Sequence, residues 1–238
     1  MSDDTRSRLL REAEVLIRTR GYAGFSYADL SERVRVRKAS VHYYFPTKED
    51  LIVVLVREYI ERFIAALDGV RRRHASAGER LRAYSRLFLE GFEKGMLPLC
   101  GALSAERSAL PEAMHPVIAD FFQIHLDWLE GVLGDGVAAG TLRADAASSR
   151  TAMLLLSTLE GGSFVGWALQ KKAPVLAAFE AALGEIETAV AKPVRRKVSA
   201  PVPRTAPRRR SEDPARAPKT LPRARTAGAT STSERKKP

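Results

Sequence analysis

The residues best suited to chemistry in this sequence lie in the stretch Arg33–Lys48. It holds five basic side chains and no acidic one, together with an aromatic run at His42, Tyr43 and Tyr44. Lysine and arginine pair with phosphates and guanine edges, and hydroxyl and aromatic groups add contacts to bases and sugars. Runs of like charge also occur on ordinary solvated faces, so the elements around the stretch must decide whether it contacts DNA.

Helix signals surround this stretch on both sides. Apolar spacing predicts a first helix over residues 3–20, ended by a glycine. Ser26 followed three residues later by Asp29 resembles a capping box, and it opens a second helix that runs to about Val34. After a short turn, a third helix is expected over residues 38–44. Two helices joined by a short turn, the second of them basic, are typical of a helix-turn-helix.

The third helix is expected to have one apolar side. Val41 and Phe45 lie one turn apart and should face inward, and Pro46 should end the helix. Thr47 is the predicted cap of a fourth helix that continues to about Arg73. The side chains left facing outward are Lys38, Ala39, Ser40, His42 and Tyr43.

Further helices are expected through the rest of the chain, and no segment shows the sustained alternation of a strand. We therefore predict an all-α fold of about nine helices. The later helices are expected over residues 78–94, over 98–110 with a break at Gly101, from Pro111 to Gly134 or Gly140, over 146–169 with Asp145 as the cap, and from Pro174 to about Val190.

The charge of +11 comes almost entirely from the C-terminal segment. Residues 192–238 hold 15 lysines and arginines against 3 acidic residues and eight of the 13 prolines, so residues 1–191 are nearly neutral. Such a composition cannot offset its ordering entropy by burial, and we expect a disordered tail. A nonspecific tether to DNA and an inert extension both remain open for it.

Composition also limits the class of protein. The single Cys100 excludes an internal disulfide framework, and the four histidines do not cluster with it as metal ligands. The N-terminus resembles no secretory signal, and no uninterrupted apolar run reaches the length of a membrane span, so a cytoplasmic protein is expected. No nucleophile and base occur at a recognised spacing, so we predict no enzyme, no cofactor and no metal.

The run from Gly21 to Leu51, and above all Tyr-Phe-Pro-Thr-Lys-Glu-Asp-Leu at residues 44–51, resembles the N-terminal domain of the TetR family of bacterial transcriptional regulators. The resemblance covers about residues 5–60. It implies a helix-turn-helix domain over residues 1–50, a helical ligand-binding and dimerisation domain over 51–191, and the tail over 192–238. It also implies that the following residues contact DNA: Ser26, Tyr27, Lys38, Ala39, Ser40, His42, Tyr43, Tyr44 and Lys48. Arg37, in the turn before the third helix, is predicted to add a phosphate contact that the family does not usually make.

This chain departs from the family pattern before the third helix. Ala-Gly-Val-Ser is common there, whereas Val34-Arg35-Val36-Arg37 occupies the turn. Losing the glycine raises the cost of a positive φ by about 1 kcal/mol unless the turn takes another shape. His42-Tyr43 also reverses the commoner order, so the operator sequence cannot be borrowed.

In the C-terminal part the resemblance implies a pocket and a dimer interface without fixing residues. Two long helices with small residues suggest a four-helix dimer interface, and a helix pair packed on its own core is the alternative. Its predicted residues are Leu155, Leu159, Gly162, Val165, Gly166, Leu169, Val175, Phe179, Leu183 and Ile186. The predicted ligand-binding residues are Phe88, Phe92, Cys100, Phe121, Phe122, His125, Trp128, Glu160, Phe164 and Trp167.

The resulting hypothesis is a homodimeric repressor that leaves a palindromic operator when a small-molecule inducer binds. Two other classes remain open at this point: a helical small-molecule-binding protein, and a nonspecific DNA-binding protein that relies on the basic tail. The segment 99–106 resembles one in a branch of the family, which suggests that Cys100 lines the cavity or senses electrophiles. An inert buried thiol is the alternative.

Overall fold

Nine α-helices account for most of residues 2–92, 94–171 and 173–188, the part of the chain that the computed structural model describes. The same residues form no strand, only one isolated antiparallel bridge between Leu142 and Glu187. The predicted all-α class is confirmed. The helices are α1 (Ser2–Arg20), α2 (Tyr27–Val34), α3 (Lys38–Tyr44), α4 (Lys48–Arg73), α5 (Ala77–Phe92), α6 (Leu99–Ala105), α7 (Met114–Ala138), α8 (Ser149–Leu169) and α9 (Ala173–Gly184).

Two capping boxes fix the starts of α2 and α4. The Ser26 hydroxyl accepts the N–H groups of Ala28 and Asp29, and the Asp29 carboxylate accepts the Ser26 N–H at 2.8 Å. Thr47 and Asp50 repeat this arrangement before α4. Each box satisfies backbone donors that a helix start leaves open. The bounds of α2, α3 and α4 are therefore close to those predicted.

One continuous apolar core joins the described helices. It extends from Leu9 in α1 through Val41 in α3 and Leu51 in α4 to Leu183 in α9, all at 0% exposure. The predicted regions 1–50 and 51–191 are thus packed against each other, and the boundary between them stays a prediction. The tail predicted over 192–238 lies outside the described residues.

Several helix ends in the second half differ from those predicted. Gly101 lies inside an unbroken α6, which ends at Ala105 and is followed by a turn of 3-10 helix at Arg107–Ala109. Helix α7 begins at Met114 rather than Pro111, and α9 ends at Gly184. Ser148, not Asp145, caps α8, because the Asp145 carboxylate pairs with Arg143 at 2.6 Å.

Among the described helices, α8 alone is long and apolar enough by composition to cross a bilayer, with a mean hydropathy of 1.3. Leu155 and Leu159 on this helix are fully buried within the chain. The apolar character of α8 is therefore explained in part by the core.

Candidate DNA-binding surface and ligand cavity

Helix α3 lies at the surface and is held there by two anchors. Val41 and Phe45 are 0% and 2% exposed, as predicted, and they seat the helix on the core. Lys38, Ala39 and His42 are exposed, and Tyr43 is 81% exposed. The anchors therefore present polar and aromatic groups on one side of a short helix.

Three cations of the Arg33–Lys48 stretch are free to meet phosphates. Arg35, Arg37 and Lys38 are exposed, and no carboxylate of the described residues lies within 4.0 Å of them. Arg33, by contrast, pairs with Glu12 at 2.8 Å. Arg37 occupies the N-cap of α3 without a side-chain cap, so the positive end of α3 adds to this local charge.

The turn before α3 retains a left-handed residue although the glycine of the family pattern is absent. Arg35 adopts φ 57° and ψ 49°, and its N–H donates to the Glu32 carbonyl at 3.1 Å. The next N–H, of Val36, donates to the Ser31 carbonyl at 3.0 Å. A side chain in this conformation costs about 1 kcal/mol, so the turn adopts a left-handed residue at an energetic cost and places a cation there.

His42 is oriented by two neighbours. Its ring lies edge-on to Tyr27 at 4.8 Å, and Nδ1 is 3.2 Å from the Pro46 carbonyl. A carbonyl only accepts, so Nδ1 carries the proton. In the neutral ring Nε2 is then left as an acceptor for a base-edge or water donor.

Two residues predicted to contact DNA also form hydrogen bonds inside the domain, and their DNA contacts stay predictions. Tyr27 is 7% exposed, and its hydroxyl donates to the carbonyls of Phe45 and Thr47. The half-buried Lys48 ammonium donates to the carbonyls of Tyr22 and Phe25. Each of these side chains donates to two backbone carbonyls and so stabilises the connections between the helices. The sequence does not reveal this role, because it does not show which carbonyls lie close together in the fold.

The environment of Lys48 is consistent with this internal role. Its nitrogen lies 4.1 Å and 4.4 Å from the ring centroids of Phe25 and Tyr22. Burial lowers the pKa of the ammonium, against the raising effect of Glu106 and Asp29. Of the remaining predicted contacts, the Ser26 hydroxyl is engaged in its capping box, and Tyr44 is half-buried with its ring edge-on to Tyr43 at 5.1 Å.

Glu106, which the sequence did not single out, links α6 to the DNA-binding region. Its carboxylate accepts the N–H groups of Tyr22 and Ala23 at 2.8 Å each. Gly21 ends α1 at φ 82°, and a Cβ there would lie 1.8 Å from the Glu106 carboxylate. We call this arrangement the Glu106 clamp. A contact across 84 positions has no local sequence signal.

A mostly apolar groove of about 440 Å³ lies between α6, α7 and α8. Three predicted ligand-binding residues line it: Phe122, Glu160 and Phe164. Helix α6 contributes Gly101, Ser104 and Ala105 to the same wall. A cavity of this volume is within the range of small-molecule sites, roughly 300–1,000 Å³.

Glu160 has no partner among the described residues. Both carboxylate oxygens are inaccessible to solvent and accept no hydrogen bond, and burial raises the pKa of the side chain to about 7. An unpaired buried carboxylate is costly, so such a group is unusual in a core.

A much smaller cavity of about 30 Å³ adjoins the other side of Glu160 and is lined by Phe88, Phe121 and His125. The Tyr84 hydroxyl lies 2.6 Å from His125 Nδ1 and is best placed to donate to it, which leaves the proton of the neutral ring on Nε2. That Nε2 has no partner among the described residues, and burial lowers the histidine pKa to about 3. His125 is therefore neutral at physiological pH.

The four other predicted ligand-binding residues lie outside both cavities. Cys100 is fully buried, and burial raises the pKa of its thiol well above the ordinary value, which disfavours the reactive thiolate. Trp128 is buried and stacks on Tyr84 at 5.1 Å. Phe92 lies near Gly166, whereas Trp167 is 39% exposed.

Most residues predicted for the dimer interface pack inside one chain. Leu155, Leu159, Gly166, Val175, Phe179 and Leu183 are buried and join α8 to α9. Gly162 and Ile186 are half-buried, and only Val165 and Leu169 are well exposed, at 56% and 57%. Six of the ten predicted residues therefore pack within the chain, and the dimer interface itself stays a prediction.

A different face of α8 and α9 is exposed and apolar. Leu154, Gly161, Val165 and Leu169 lie along α8. Ala177, Ala178 and Ala181 lie along the exposed side of α9. We call these seven residues the α8–α9 surface. No three histidine, cysteine, aspartate or glutamate side chains in the described ranges cluster as metal ligands.

A helix-turn-helix with an exposed cationic second helix, set on a helical body that contains a cavity, defines a DNA-binding transcription regulator. The sequence profile of the family described as bacterial regulatory proteins, tetR family, matches residues 9–55. Those residues therefore carry the sequence pattern of the DNA-binding domain of TetR-family bacterial transcriptional regulators. Comparison with curated protein sequences gives no match.

Solved structures have the same fold. A TetR-family transcriptional regulator from Agrobacterium tumefaciens is 29% identical, with a TM-score of 0.75 over 79% of this chain and 100% of that one. The regulatory protein TetR from Rhodobacter sphaeroides is 22% identical, with a TM-score of 0.71 over 76% and 97%. E. coli NemR in its reduced form is 24% identical, with a TM-score of 0.69 over 79% and 100%.

Proposed function

We propose that this protein is a cytoplasmic, homodimeric repressor that leaves a palindromic operator when a small molecule occupies the groove. Residues 1–50 would bind DNA, and residues 51–191 would bind the ligand and the partner subunit. The proposed activity is the binding of DNA and a ligand, without catalysis. The observation that carries the proposal is the position of α6, which lines the groove through Gly101 and ends at the Glu106 clamp.

The DNA contacts are assigned to the exposed side of α3 and its preceding turn. Lys38 and Ser40 are suited to base edges, and Arg37 and Lys38 to phosphates. Tyr43 adds an exposed ring, and His42 adds an acceptor at Nε2. Ala39 is small enough for close approach, whereas Ser26 and Tyr44 lie at the margin of this surface.

Dimerisation is assigned to the α8–α9 surface. Large apolar side chains on α8 and small ones on α9 allow close helix packing against a second copy. In a symmetric dimer the two α3 helices must reach successive major grooves, about 34–36 Å apart.

The coupling is assigned to α6. A ligand that displaces α6 would displace Glu106 and the loop of Tyr22 and Ala23 that it holds. That loop is also tied to Lys48 at the start of α4, so the orientation of α3 would change. The ligand lowers operator affinity only to the extent that it binds the displaced state better.

The DNA-binding proposal is tested by fluorescence anisotropy with the DNA upstream of the gene and a scrambled duplex of equal length. We expect specific, salt-sensitive binding that Lys38→Ala and Tyr43→Ala each weaken by roughly 5- to 100-fold. Arg72→Ala is the matched control, because Arg72 is exposed near the far end of α4, about 36 Å along the helix from Lys48. Equal binding of both duplexes would contradict the proposal.

The dimer is tested by sedimentation of Leu154→Glu and Val165→Glu. Both side chains are more than half exposed in the single chain, so the folded protomer should tolerate the change. We expect monomers with native helicity and an operator affinity reduced by at least about tenfold. Dimers of wild-type stability in both variants would place the interface elsewhere.

Nonspecific binding through the tail is a second candidate function, favoured by the charge of +12 on residues 192–238. A polycationic segment releases counterions from any duplex. Deleting residues 192–238 separates the two functions. Specific operator binding should survive the deletion while nonspecific affinity falls, and loss of all DNA binding would favour the tail.

A further inference from the structure

The groove wall includes one ionisable side chain that none of the described residues neutralises. Glu160 lies on its wall, and both carboxylate oxygens are buried without a hydrogen bond from the described residues. A carboxylate removed from water needs a cation or hydrogen-bond donors in return. The free protein therefore retains an unsatisfied acceptor just beneath the wall of a groove that is large enough for a small molecule.

The remaining groove wall is suited to a hydrophobic ligand. Phe122 and Phe164 present rings, and Leu126 and Leu156 present aliphatic groups. Aromatic faces attract cations, and aromatic cages are a recurring way of binding quaternary ammonium groups. The combination of one anion with two aromatic rings favours a cation that carries an apolar body.

Charged and titratable groups on the surrounding helices do not replace such a cation. Arg18 of α1 is engaged by Glu14 at 3.0 Å and by the Leu97 carbonyl at 2.6 Å. His125 of α7 is neutral because burial lowers its pKa to about 3. Tyr59, Tyr84 and Cys100, on α4, α5 and α6, carry pKa values raised by burial and are also neutral.

The larger cleft between α1, α4 and α5, of about 580 Å³, differs from the groove. Two of its carboxylates are already paired, Glu14 with Arg62 at 2.6 Å and Glu58 with Arg6 at 2.9 Å, and the third, Glu90, is exposed to water. It therefore offers a cationic ligand no buried unsatisfied anion.

We propose that the groove binds a small hydrophobic monocation, an amine or quaternary ammonium compound, with Glu160 as its counter-ion. This inference rests on the proposed ligand-responsive function and names the chemical class of its ligand. Phe122 and Phe164 contact the cationic head or the adjoining apolar body. The exposed Met153 closes one side of the groove next to the α8–α9 surface.

The test uses two probes of nearly the same shape, benzyltrimethylammonium and its uncharged isostere neopentylbenzene. Binding to the full chain is measured by calorimetry at pH 8. We expect the cation to bind at least about tenfold more tightly than the isostere, because only the cation compensates Glu160. Glu160→Gln should remove this preference, and Glu130→Gln, at an exposed position of α7, should keep it.

A pH series on the unaltered protein tests the same inference without a substitution. The probe carries a permanent charge, so any titration belongs to the protein. Because the Glu160 pKa is raised to about 7, ionised Glu160 is scarce at pH 6 and predominant at pH 8. Cation affinity should therefore rise about tenfold between these values and level off above them. Glu160→Gln, or Glu160→Met if the amide is not tolerated, should give a flat profile.

Each result decides the inference. Equal affinities for the two probes, a preference that survives Glu160→Gln, or no binding of either probe would overturn it. Operator binding is measured separately in the same preparations. Cation binding without any specific DNA binding would refute the proposed function and leave this inference intact. Operator binding without a cation preference would refute this inference and leave the proposed function intact.

Discussion

The two ends of α6 each meet a carboxylate, and the two carboxylates differ in their hydrogen bonds. At the C-terminal end Glu106 accepts two backbone N–H groups at 2.8 Å each. Near the other end Glu160 faces Gly101 and accepts none from the described residues. A carboxylate with hydrogen-bond donors stabilises the fold, whereas a carboxylate without donors can gain free energy by binding a ligand. One short helix thus joins a structural contact to an open site.

Each carboxylate also lies close to a glycine. Substitution of Gly21, the glycine beside Glu106, is expected to have the largest effect on the free energy of unfolding. A Cβ at Gly21 would lie 1.8 Å from Glu106, and φ is 82° there. Gly21→Ala should lose about 3 kcal/mol of unfolding free energy, from backbone strain and broken hydrogen bonds together. Chemical denaturation measures this loss.

Gly95→Ala is the control for strain alone. Gly95 has φ 67°, and a Cβ there meets nothing within 4 Å. It should lose only about 1 kcal/mol. Equal losses at Gly21 and Gly95 would show that the Glu106 clamp contributes nothing.

Neutralising Glu160 should stabilise the free protein in a pH-dependent way. Its folded pKa of about 7 lies above the ordinary 4.5, so the folded state binds a proton more tightly, and stability is lost as pH rises between these values. Glu160→Gln should therefore add about 3 kcal/mol at pH 8 and at most about 1 kcal/mol at pH 5. Thermal unfolding at both pH values, with Glu130→Gln as control, measures the difference. A gain in unfolding free energy that is the same at both pH values would contradict the conclusion that Glu160 has no hydrogen-bond partner.

Removing Glu106 should lower the stability of the protein and weaken the coupling between the groove and α3. Glu106→Ala leaves the Tyr22 and Ala23 amides without their acceptor, at a cost of about 1–2 kcal/mol given their partial exposure. Hydrogen exchange of these amides should accelerate, whereas Glu112→Ala, at an exposed position, should leave them protected. Unchanged protection in Glu106→Ala would refute the clamp.

Gly101→Ala should have the smallest effect and sharpens the contrast with Gly21. Its Cβ would lie 2.5 Å from a Glu160 oxygen, but that carboxylate has no hydrogen bond to lose. Alanine also favours the helix by about 1 kcal/mol, so the net change in unfolding free energy should stay below about 1 kcal/mol. A loss as large as that of Gly21→Ala, measured by the same denaturation, would mean that Glu160 is held by partners after all.

Local signals predicted the N-terminal region well. Two hydroxyl–aspartate pairs, Ser26 with Asp29 and Thr47 with Asp50, define helix starts through contacts three residues apart. Val41 and Phe45 fixed the orientation of α3 through a contact one turn apart. Such features depend on near neighbours, so the sequence contains them in full.

Long-range contacts explain what the sequence did not predict. From the sequence, Lys48 and Tyr27 were expected to be free for DNA. Their partners inside the fold are backbone carbonyls, which every residue has, so the sequence gives no sign of these contacts. Glu106 gave no signal because the amides it holds lie more than 80 positions away. For α8, periodicity found an apolar stripe but could not tell whether it meets α9 of the same chain or a second subunit.

Reciprocal linkage tests the central claim most directly. If α6 couples the groove to α3, benzyltrimethylammonium must bind more weakly to operator-bound protein, by the same factor by which it weakens operator binding. Calorimetry of the probe with and without saturating operator measures that factor, and Glu106→Ala should bring it close to one. The same probe affinity in free and operator-bound wild-type protein would contradict the coupling of groove to DNA.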